Sequence, residues 1–518
     1  METGILGIDR ICAVVAASDA ASMRRQLVYA LGRTRTVELR LDWLSGAGEL
    51  TRFLAWLASR RVRARLIATC RRRQAGGRFR GSIAEQLFHL AEAIRAGCAW
   101  YDLELESSSK CPRELLDVLL GEGRQLSSAH FFRRMPENLN GVARRLARQG
   151  PHAIKIAAQC DSLAECRRLL RFARTQRNFV AVPMGDAGLP ARLLALREGS
   201  AFTYAPVENS TAPGQIPLKE MTQVYRADRL DQRTRVYGVI GNPIAHSLSP
   251  VMQNAGFAAR RMNAVYLPFL VRDLRDFLEA VEPLGIGGFS VTLPHKERIL
   301  EHLDGYDRLV SSIGAVNTVV VRGGGKLYGH NTDYEGVLRT LESRFELRAS
   351  RVLIVGAGGA ARAVAFALAR AGAAVSICSR RKQQAKAMAK AVGGEVIARQ
   401  RVRHEYFDAI VNATPVGMHP LVKDSPLEER ELNCRLVFDT IYRPPVTRLL
   451  QLASRRGIET VSGVEMFVRQ GTAQWEIWTG QRAPVEAMRR AVVRALEGEE
   501  RDRGAPDGKN KERKGSLT

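Results

Sequence analysis

The chain has 518 residues and no uninterrupted apolar run long enough to span a bilayer. It also has no Cys-x-x-Cys pair. Its eight cysteines are scattered and form no metal-like cluster. A disulfide framework and a bound metal are therefore not expected, and free thiols point to a reducing compartment. The first residues, METGILGIDRICAVV, carry no basic stretch before the apolar run, so neither a secretion signal nor a transit peptide is expected. These absences together favour a cytoplasmic protein with no membrane partner. Lysine is also scarce, supplying 12 of 79 basic residues. With 53 acidic residues the net charge is +26, which invites a nucleic-acid reading. However, arginine is spread over nearly the whole chain, and no basic stretch is interleaved with aromatics. That pattern implies a compositional bias toward arginine and nonspecific polyanion binding at low salt, not a specific nucleic-acid partner. An arginine-rich RNA-binding protein that has kept an enzyme fold is the remote alternative.

What is present begins with RVLIVGAGGAARAV, Arg351–Val364. An apolar run enters a glycine turn and leaves in a helical pattern, matching G-x-G-x-x-G/A. Gly356 allows the turn, Gly358 admits a pyrophosphate, and Ala361 lets helix pack on strand. Ala357, Gly359 and Ala360 complete the loop, whose helix N-terminus offers free N–H groups. The next strand, Ala374–Cys378, ends in Ser379-Arg380-Arg381-Lys382, and no acid occurs between Glu346 and Glu395. An NAD site usually places an acid there for the ribose hydroxyl. Cations suit a 2′-phosphate instead, so the expected cofactor is NADP, with Arg380 and Arg381 as the clamp. A solvated charge run is the other reading of these cations.

In the first half, short β-rich runs alternate with helical patterns. The runs are Ile11–Ala17, Thr36–Trp43, Arg65–Arg71, Trp100–Glu106, Arg124–Phe131, His152–Gln159, Asn178–Gly185 and Ala201–Val207. Eight such units in about 220 residues suggest a (β/α)8 barrel, whose catalytic groups lie near strand C-termini. Lys155 stands inside the apolar strand AIKIA. Burial would lower its pKa, as a Schiff-base amine needs. The alternative is a lysine paired with Glu38, Asp102 or Glu104.

Several pieces of this half resemble type I 3-dehydroquinate dehydratase: ELRLDWL at Glu38–Leu44, TCR…GG at Thr69–Gly77, SAH at Ser128–His130, IKIA at Ile154–Ala157 and TAPGQIPL at Thr211–Leu218. The resemblance implies that Lys155 forms an imine with the substrate ketone. It implies that His130 removes the C2 proton and then assists loss of water. Glu38, Arg40 and Arg71 would hold ring hydroxyls. Arg192, in the loop after the seventh strand, would pair with the carboxylate, and Thr211 and Gln215 would close the site. Two positions depart from the family. Ala75 replaces the glutamate that precedes the Gly-Gly pair and orients the histidine. His130-Phe131-Phe132 replaces His-Asp-Phe. Glu104 is the candidate substitute for the missing acid.

The second half places polar groups after short apolar strands. After GVIGNP come Ser247 and Ser249, at i and i+2 before a helix, suited to a carboxylate or to plain N-capping. VTLPHK brings Thr292 and Lys296, GAVNT brings Asn317, and NTD brings Asp333. Lys, Asn and Asp make a plausible proton-transfer and hydroxyl-binding set, although each alone could be a turn residue. With GAGGAARA, NATPVGM and GVEMFVRQ, these motifs resemble shikimate dehydrogenase over the whole half. The resemblance implies that Ser247 and Ser249 bind the substrate carboxylate, and that Thr292, Asn317 and Gln470 bind its hydroxyls. Lys296 and Asp333 would be the catalytic pair. Tyr442 would lie near substrate and nicotinamide together with Asn412–Met418, including Thr414, and Gly463 near both ligands.

The expected α/β architecture is a dehydratase barrel over 1–228, a substrate-binding domain over 235–340 plus 462–496, and a Rossmann-type NADP domain over 341–461. A disordered tail is expected over 498–518. The expected function is dehydration of 3-dehydroquinate to 3-dehydroshikimate, then NADPH-dependent reduction to shikimate. The alternatives are an impaired barrel beside a working dehydrogenase, or quinate as the dehydrogenase substrate. Monomer and homodimer are both left open.

Overall fold

Eight strands of four to eight residues build the first part of the chain. They are β1 (Ile11–Val15), β2 (Thr36–Arg40), β3 (Arg65–Thr69), β4 (Trp100–Glu104), β5 (Arg124–Phe131), β6 (Ala153–Gln159), β7 (Phe179–Met184) and β8 (Thr203–Pro206). In this computed structural model, which describes residues 9–121, 123–148, 150–208 and 214–504, they form one parallel sheet. Its order is β7-β6-β5-β4-β3-β2-β1-β8. Each of β1 to β6 pairs with the strand that follows it, β1 also pairs with β8, and the Ala201 amide donates to the Phe179 carbonyl at 2.8 Å where β7 and β8 nearly close the barrel. This is the expected (β/α)8 barrel. Helices fill the connections, as parallel neighbours require. Several start on side-chain caps, such as Ser82 with Glu85 in a reciprocal capping box. Inside, Cys12, Val14, Ile67, Trp100, Leu126 and Phe202 belong to one buried cluster.

The second part carries two sheets. One contains β9 (Arg235–Gly241), β10 (Ala264–Leu270), β11 (Ile286–Val291), β12 (Gly305–Tyr306), β13 (Thr318–Val321) and β14 (Leu327–His330), in the order β10-β9-β11-β13-β14-β12. The other contains β15 (Arg351–Val355), β16 (Ala374–Cys378), β17 (Glu395–Val396), β18 (Phe407–Asn412), β19 (Cys434–Asp439) and β20 (Glu459–Val461). Its pairings are all parallel, in the order β17-β16-β15-β18-β19-β20. The order reverses beside β15, the switch point where a doubly wound sheet leaves a crevice above its strand ends. Both faces of this sheet are buried, with Ile354, Ile377 and Val411 in one cluster and Leu353, Ile410 and Val437 in another.

Three details differ from the sequence expectations. Arg192 lies in the helix Gly188–Arg197, not in a loop, because the helix starts four residues after β7 with Pro190 in its first turn. The last helix, Val485–Gly504, runs past the expected start of the tail at Gly498, and residues 505–518 lie outside the described ones. The expected β-runs after β2 and β4 turn early into a 3-10 turn at Leu41–Trp43 and a short helix at Leu105–Ser108. Both follow strand residues whose side chains enter the barrel mouth. Among the described residues no helix is long and apolar enough to cross a membrane. No group of three or more His, Cys, Asp or Glu among them could hold a metal. All eight cysteines are buried free thiols.

Two candidate active sites

In a strand, alternate side chains share a face, so the barrel's inward set follows from register. Thr69 stands opposite Asp102, Glu104 opposite Ser128, and Ser128 opposite Lys155. Polar groups from four adjacent strands therefore meet inside an apolar wall. Asp102 is the centre of that group. It accepts from Lys155 Nζ, from Arg71 Nη2 at 2.8 Å and from Ser128 Oγ at 2.6 Å. Lys155 also donates to the Tyr204 hydroxyl at 3.2 Å. Of the three carboxylates that could have paired with Lys155, the structure selects Asp102.

The electrostatics follow from burial and neighbours. Burial pulls the Lys155 ammonium below its ordinary value, with Asp102 opposing and Arg71 reinforcing. Burial alone would raise Asp102, but Arg71 and Lys155 outweigh it and hold the carboxyl well below the usual range. His130 is pushed well down by burial and by the Arg71 and Lys155 charges, so it is neutral near pH 7. One carboxylate thus sits beside two buried cations, one of which has reason to shed its proton. That is a fitting environment for an amine nucleophile.

The other expected barrel residues fall into place unevenly. Glu38 is buried and accepts from Thr69 Oγ1 at 2.8 Å. Arg40 is held by Asp42 through two bonds, at 2.9 and 2.8 Å. Arg192 is fully buried, which pushes its guanidinium down to about 10. Gly214 lies so close to the Gly185 carbonyl oxygen that an added Cβ would sit 2.5 Å from it. This brings the neighbouring Gln215 to the rim after β7. Thr211 lies outside the described residues. Glu104 does not take the orienting role considered for it: Gln86, Ser107 and the Arg72 amide all donate to its carboxylate. The group on His130 is Arg71, whose Nη1 lies 2.9 Å from Nδ1.

The second site is built around Asn317, just before β13. Its side-chain nitrogen donates to Asp333 Oδ1 at 2.8 Å, and its oxygen accepts the Thr332 amide at 2.8 Å. The other Asp333 oxygen takes Lys296 Nζ at 2.5 Å. Asp333 sits in the first turn of the helix Thr332–Glu342, which Asn331 caps, and a carboxylate is favoured there. Lys296 comes from the short helix His295–Arg298, and its carbonyl accepts from the Val316 amide at 2.8 Å. Three expected residues therefore form one bonded cluster. Thr292 packs on Gly241, where a Cβ would meet its methyl at 2.6 Å. Ser249 opens the helix Ser249–Ala259, Leu248 stands at its N-cap position, and Ser247 Oγ accepts the Ser249 amide at 3.3 Å. The Gln470 amide nitrogen donates to the Phe467 carbonyl of its own helix at 2.8 Å. Tyr442 stacks on Phe467 with ring centroids 4.2 Å apart.

At the switch point, Gly356 has φ +122°, and a Cβ there would lie 2.8 Å from the Ala413 carbonyl oxygen. Gly358 precedes the helix Gly359–Arg370, and nothing lies within 4 Å of a Cβ on Gly359. A helix N-terminus beside open space fits a pyrophosphate. The Arg381 guanidinium reaches over this loop, 3.6 Å from a Cβ on Gly358, and its amide donates to Ser379 Oγ at 3.2 Å. Arg380 is exposed beside it. Thr414 is fixed by Asn412, which accepts its amide at 3.0 Å and its hydroxyl at 2.7 Å. Asn412 in turn donates to Asp439 at 3.0 Å. Gly463 packs so close to the Ile441 and Thr440 carbonyls that an added Cβ would lie 2.5 Å from both.

Sequence reasoning missed Tyr204 and Asp439, gave Ser128 only as part of the SAH motif, and gave Asp102 no role beyond being one of three possible partners for Lys155. Burial pushes the Asp439 carboxyl up to about 6, against the bonds from Thr447, Ile441 and Asn412. The one usable sequence signal was an acid ending an apolar strand, VFD before the turn at Thr440.

Comparison with known proteins agrees with this geometry. The model for type I 3-dehydroquinase matches residues 11–232. Those for the shikimate dehydrogenase substrate binding domain, shikimate/quinate 5-dehydrogenase and the shikimate 5′-dehydrogenase C-terminal domain match 239–319, 339–443 and 463–493. The NADP(+) shikimate dehydrogenase of Symbiobacterium thermophilum is 43% identical over 286 residues, covering 51% of this chain and 96% of that one. That of Methanopyrus kandleri is 44% identical over 284 residues, covering 52% and 98%. The chloroplastic bifunctional 3-dehydroquinate dehydratase/shikimate dehydrogenase of Arabidopsis thaliana is 34% identical over 502 residues, covering 92% of this chain and 83% of that protein. A match of that length runs through both lysine–carboxylate clusters, and the chain belongs to the family of bifunctional 3-dehydroquinate dehydratase/shikimate dehydrogenases.

Proposed function

We propose that this chain catalyses two consecutive reactions, dehydrating 3-dehydroquinate to 3-dehydroshikimate in the barrel and reducing that product to shikimate with NADPH in the second half. The observation that carries the reading is the co-occurrence of two lysine–carboxylate clusters, Lys155 with Asp102 and Lys296 with Asp333 and Asn317. Domain roles follow the chain: the barrel over 1–228, a substrate domain over 235–340 plus 462–496, and a nucleotide domain over 341–461. The buried free thiols fit a reducing compartment such as the cytoplasm.

In the barrel, the neutral Lys155 amine attacks the substrate ketone, and loss of water gives a protonated imine. That cation withdraws electrons, so the adjacent C–H becomes acidic enough for a histidine base. His130 removes the proton and returns it to the departing hydroxyl. Asp102 stays beside the Arg71 charge throughout and faces the iminium when it forms. Glu38, Arg40, Arg71, Arg192, Thr211 and Gln215 bind the ring substituents and the carboxylate.

In the second half, bound NADPH supplies the hydride. Gly356, Ala357, Gly358, Gly359 and Ala360 receive its pyrophosphate. Ser379, Arg380 and Arg381 take the 2′-phosphate, and Thr414, Tyr442 and Gly463 lie at the nicotinamide end. Ser247 and Ser249 hold the substrate carboxylate, while Thr292, Asn317 and Gln470 hold its hydroxyls. Lys296 delivers a proton to the carbonyl oxygen, and Asp333 holds the lysine in place.

Arg381→Ala should weaken NADPH about tenfold or more while leaving NADH nearly unchanged, since a charge-assisted bond contributes about 1.5–3 kcal/mol. Titration of both cofactors against the variant measures this, and an unchanged NADPH/NADH ratio removes Arg381 from the clamp. The whole reading is tested in one cuvette. Purified protein with NADPH should consume the cofactor from 3-dehydroquinate and from 3-dehydroshikimate alike. Consumption from 3-dehydroshikimate alone would mean that the barrel, with Ala75 in place of the orienting acid, does not turn over.

A further inference from the structure

The loop Arg72–Phe79 packs against both neighbours of His130, Arg71 and Phe132. It folds tightly back on Arg71: the Phe79 amide donates to the Arg71 carbonyl at 3.1 Å, and a Cβ on Gly77 would lie 2.0 Å from that same oxygen. At the loop's turn, Gly76 has φ +78° and backs directly onto the Phe132 ring, 2.2 Å from a would-be Cβ. Phe132 stacks on the His130 imidazole, with centroids 6.0 Å apart and planes 15° apart. Arg71 meets the ring edge, Nη1 to Nδ1 at 2.9 Å, and is itself anchored by Asp102 at 2.8 Å and Ser128 at 3.2 Å. The residue at the centre of this loop is Ala75, buried and without a carboxylate.

A guanidinium has only donors. The contact with Arg71 therefore requires a lone pair at Nδ1, and the single proton of the neutral ring must sit on Nε2. An orienting carboxylate would do the opposite, accepting from Nδ1–H and leaving Nε2 free as the base. We propose that Arg71 is the positioning residue for His130 in this chain, holding the empty barrel's histidine in the Nε2–H form until a substrate oxygen draws the guanidinium off Nδ1. The Nε2 proton then leaves to solvent and another is taken up at Nδ1. The ring stays neutral, and its base nitrogen is uncovered only when substrate is in place. Phe132, pressed by Gly76, keeps the ring plane fixed through the exchange.

The first step is independent of turnover, and the second rests on the dehydratase reading. Nitrogen NMR of full-length protein labelled with ¹⁵N-histidine, with the His130 signals assigned by loss in His130→Gln, reads the tautomer directly. In the ligand-free protein, Nδ1 should be unprotonated and Nε2 protonated, and a protonated Nδ1 there overturns the proposal. Arg71→Met should give a mixture of the two forms, and an unchanged Nε2–H form would show that Arg71 does not set it. The adduct reduced onto Lys155 by borohydride in the presence of 3-dehydroquinate provides a stably loaded barrel. In it the proton should have moved to Nδ1, and an Nδ1 still unprotonated would overturn the uncovering step. Failure to form any adduct would instead remove the dehydratase reading, and the tautomer of the free protein would still decide the role of Arg71.

Discussion

Lys155→Ala should abolish borohydride trapping of 3-dehydroquinate on the protein and lower the dehydration rate at least ~10⁴-fold, on the order of 5 kcal/mol in barrier. The reason lies in how the buried charges balance. An imine needs a neutral amine, and the barrel lowers the lysine's proton affinity by burial and by the nearby Arg71 charge. Asp102 pulls the other way, but it equally stabilises the iminium that replaces the ammonium. The carboxylate therefore costs little in forming the intermediate and holds it in position once formed. Removing the amine leaves Asp102 still bonded to Arg71 and Ser128. The variant should consequently keep its circular dichroism and its shikimate dehydrogenase rate, which separates lost chemistry from lost fold. Mass spectrometry after borohydride reads the adduct, and a continuing mass increase in the variant would move the imine to another amine.

Much of this arrangement was legible because strand periodicity is a strong signal. All eight barrel runs were placed to within a few residues, since each is a short apolar segment between helical patterns. Lys155 stood out because nothing in AIKIA except the lysine is polar. The glycine turn was readable for the same kind of reason: Gly356 needs a positive φ, and Gly358 and Gly359 leave space that a side chain would fill. What could not be read were the choices between equals. Three carboxylates lay within reach of Lys155 in sequence terms, and only the register of β3 to β6 brings Asp102 to it. Arg71 read as a substrate ligand, because its bond to His130 depends on how the loop Arg72–Phe79 folds back over Gly76 and Gly77. Asp439 passed unnoticed because its role is to hold Asn412, a contact between two parallel strands distant in sequence. Arg192 was assigned to a loop because helix starts lacking an N-cap side chain leave little trace.

Lys296→Ala should cut the dehydrogenase kcat by ~10²–10⁴-fold, the usual range for loss of a positioned proton donor. NADPH affinity should stay within about twofold. The two properties separate because they rest on different parts of the chain. Lys296 is held by its bond to Asp333 and by the Val316 amide on its carbonyl. The glycine loop Gly356–Ala361, the proposed cofactor loop, is held by β15, by Ala413 and by the helix Gly359–Arg370. Removing the lysine leaves Asp333 with Asn317 and with its place in the first turn of a capped helix, so the carboxylate is not stranded. The proton that should reach the substrate oxygen is then missing while the hydride source remains bound, and kcat falls without a matching change in cofactor binding. Asp333→Asn should have a smaller effect, since the amide oxygen can still accept from Lys296. Steady-state rates with 3-dehydroshikimate, set beside NADPH fluorescence titration, resolve the two terms. Equal losses in both would make Lys296 a structural residue and leave the proton donor to be sought elsewhere around Asn317.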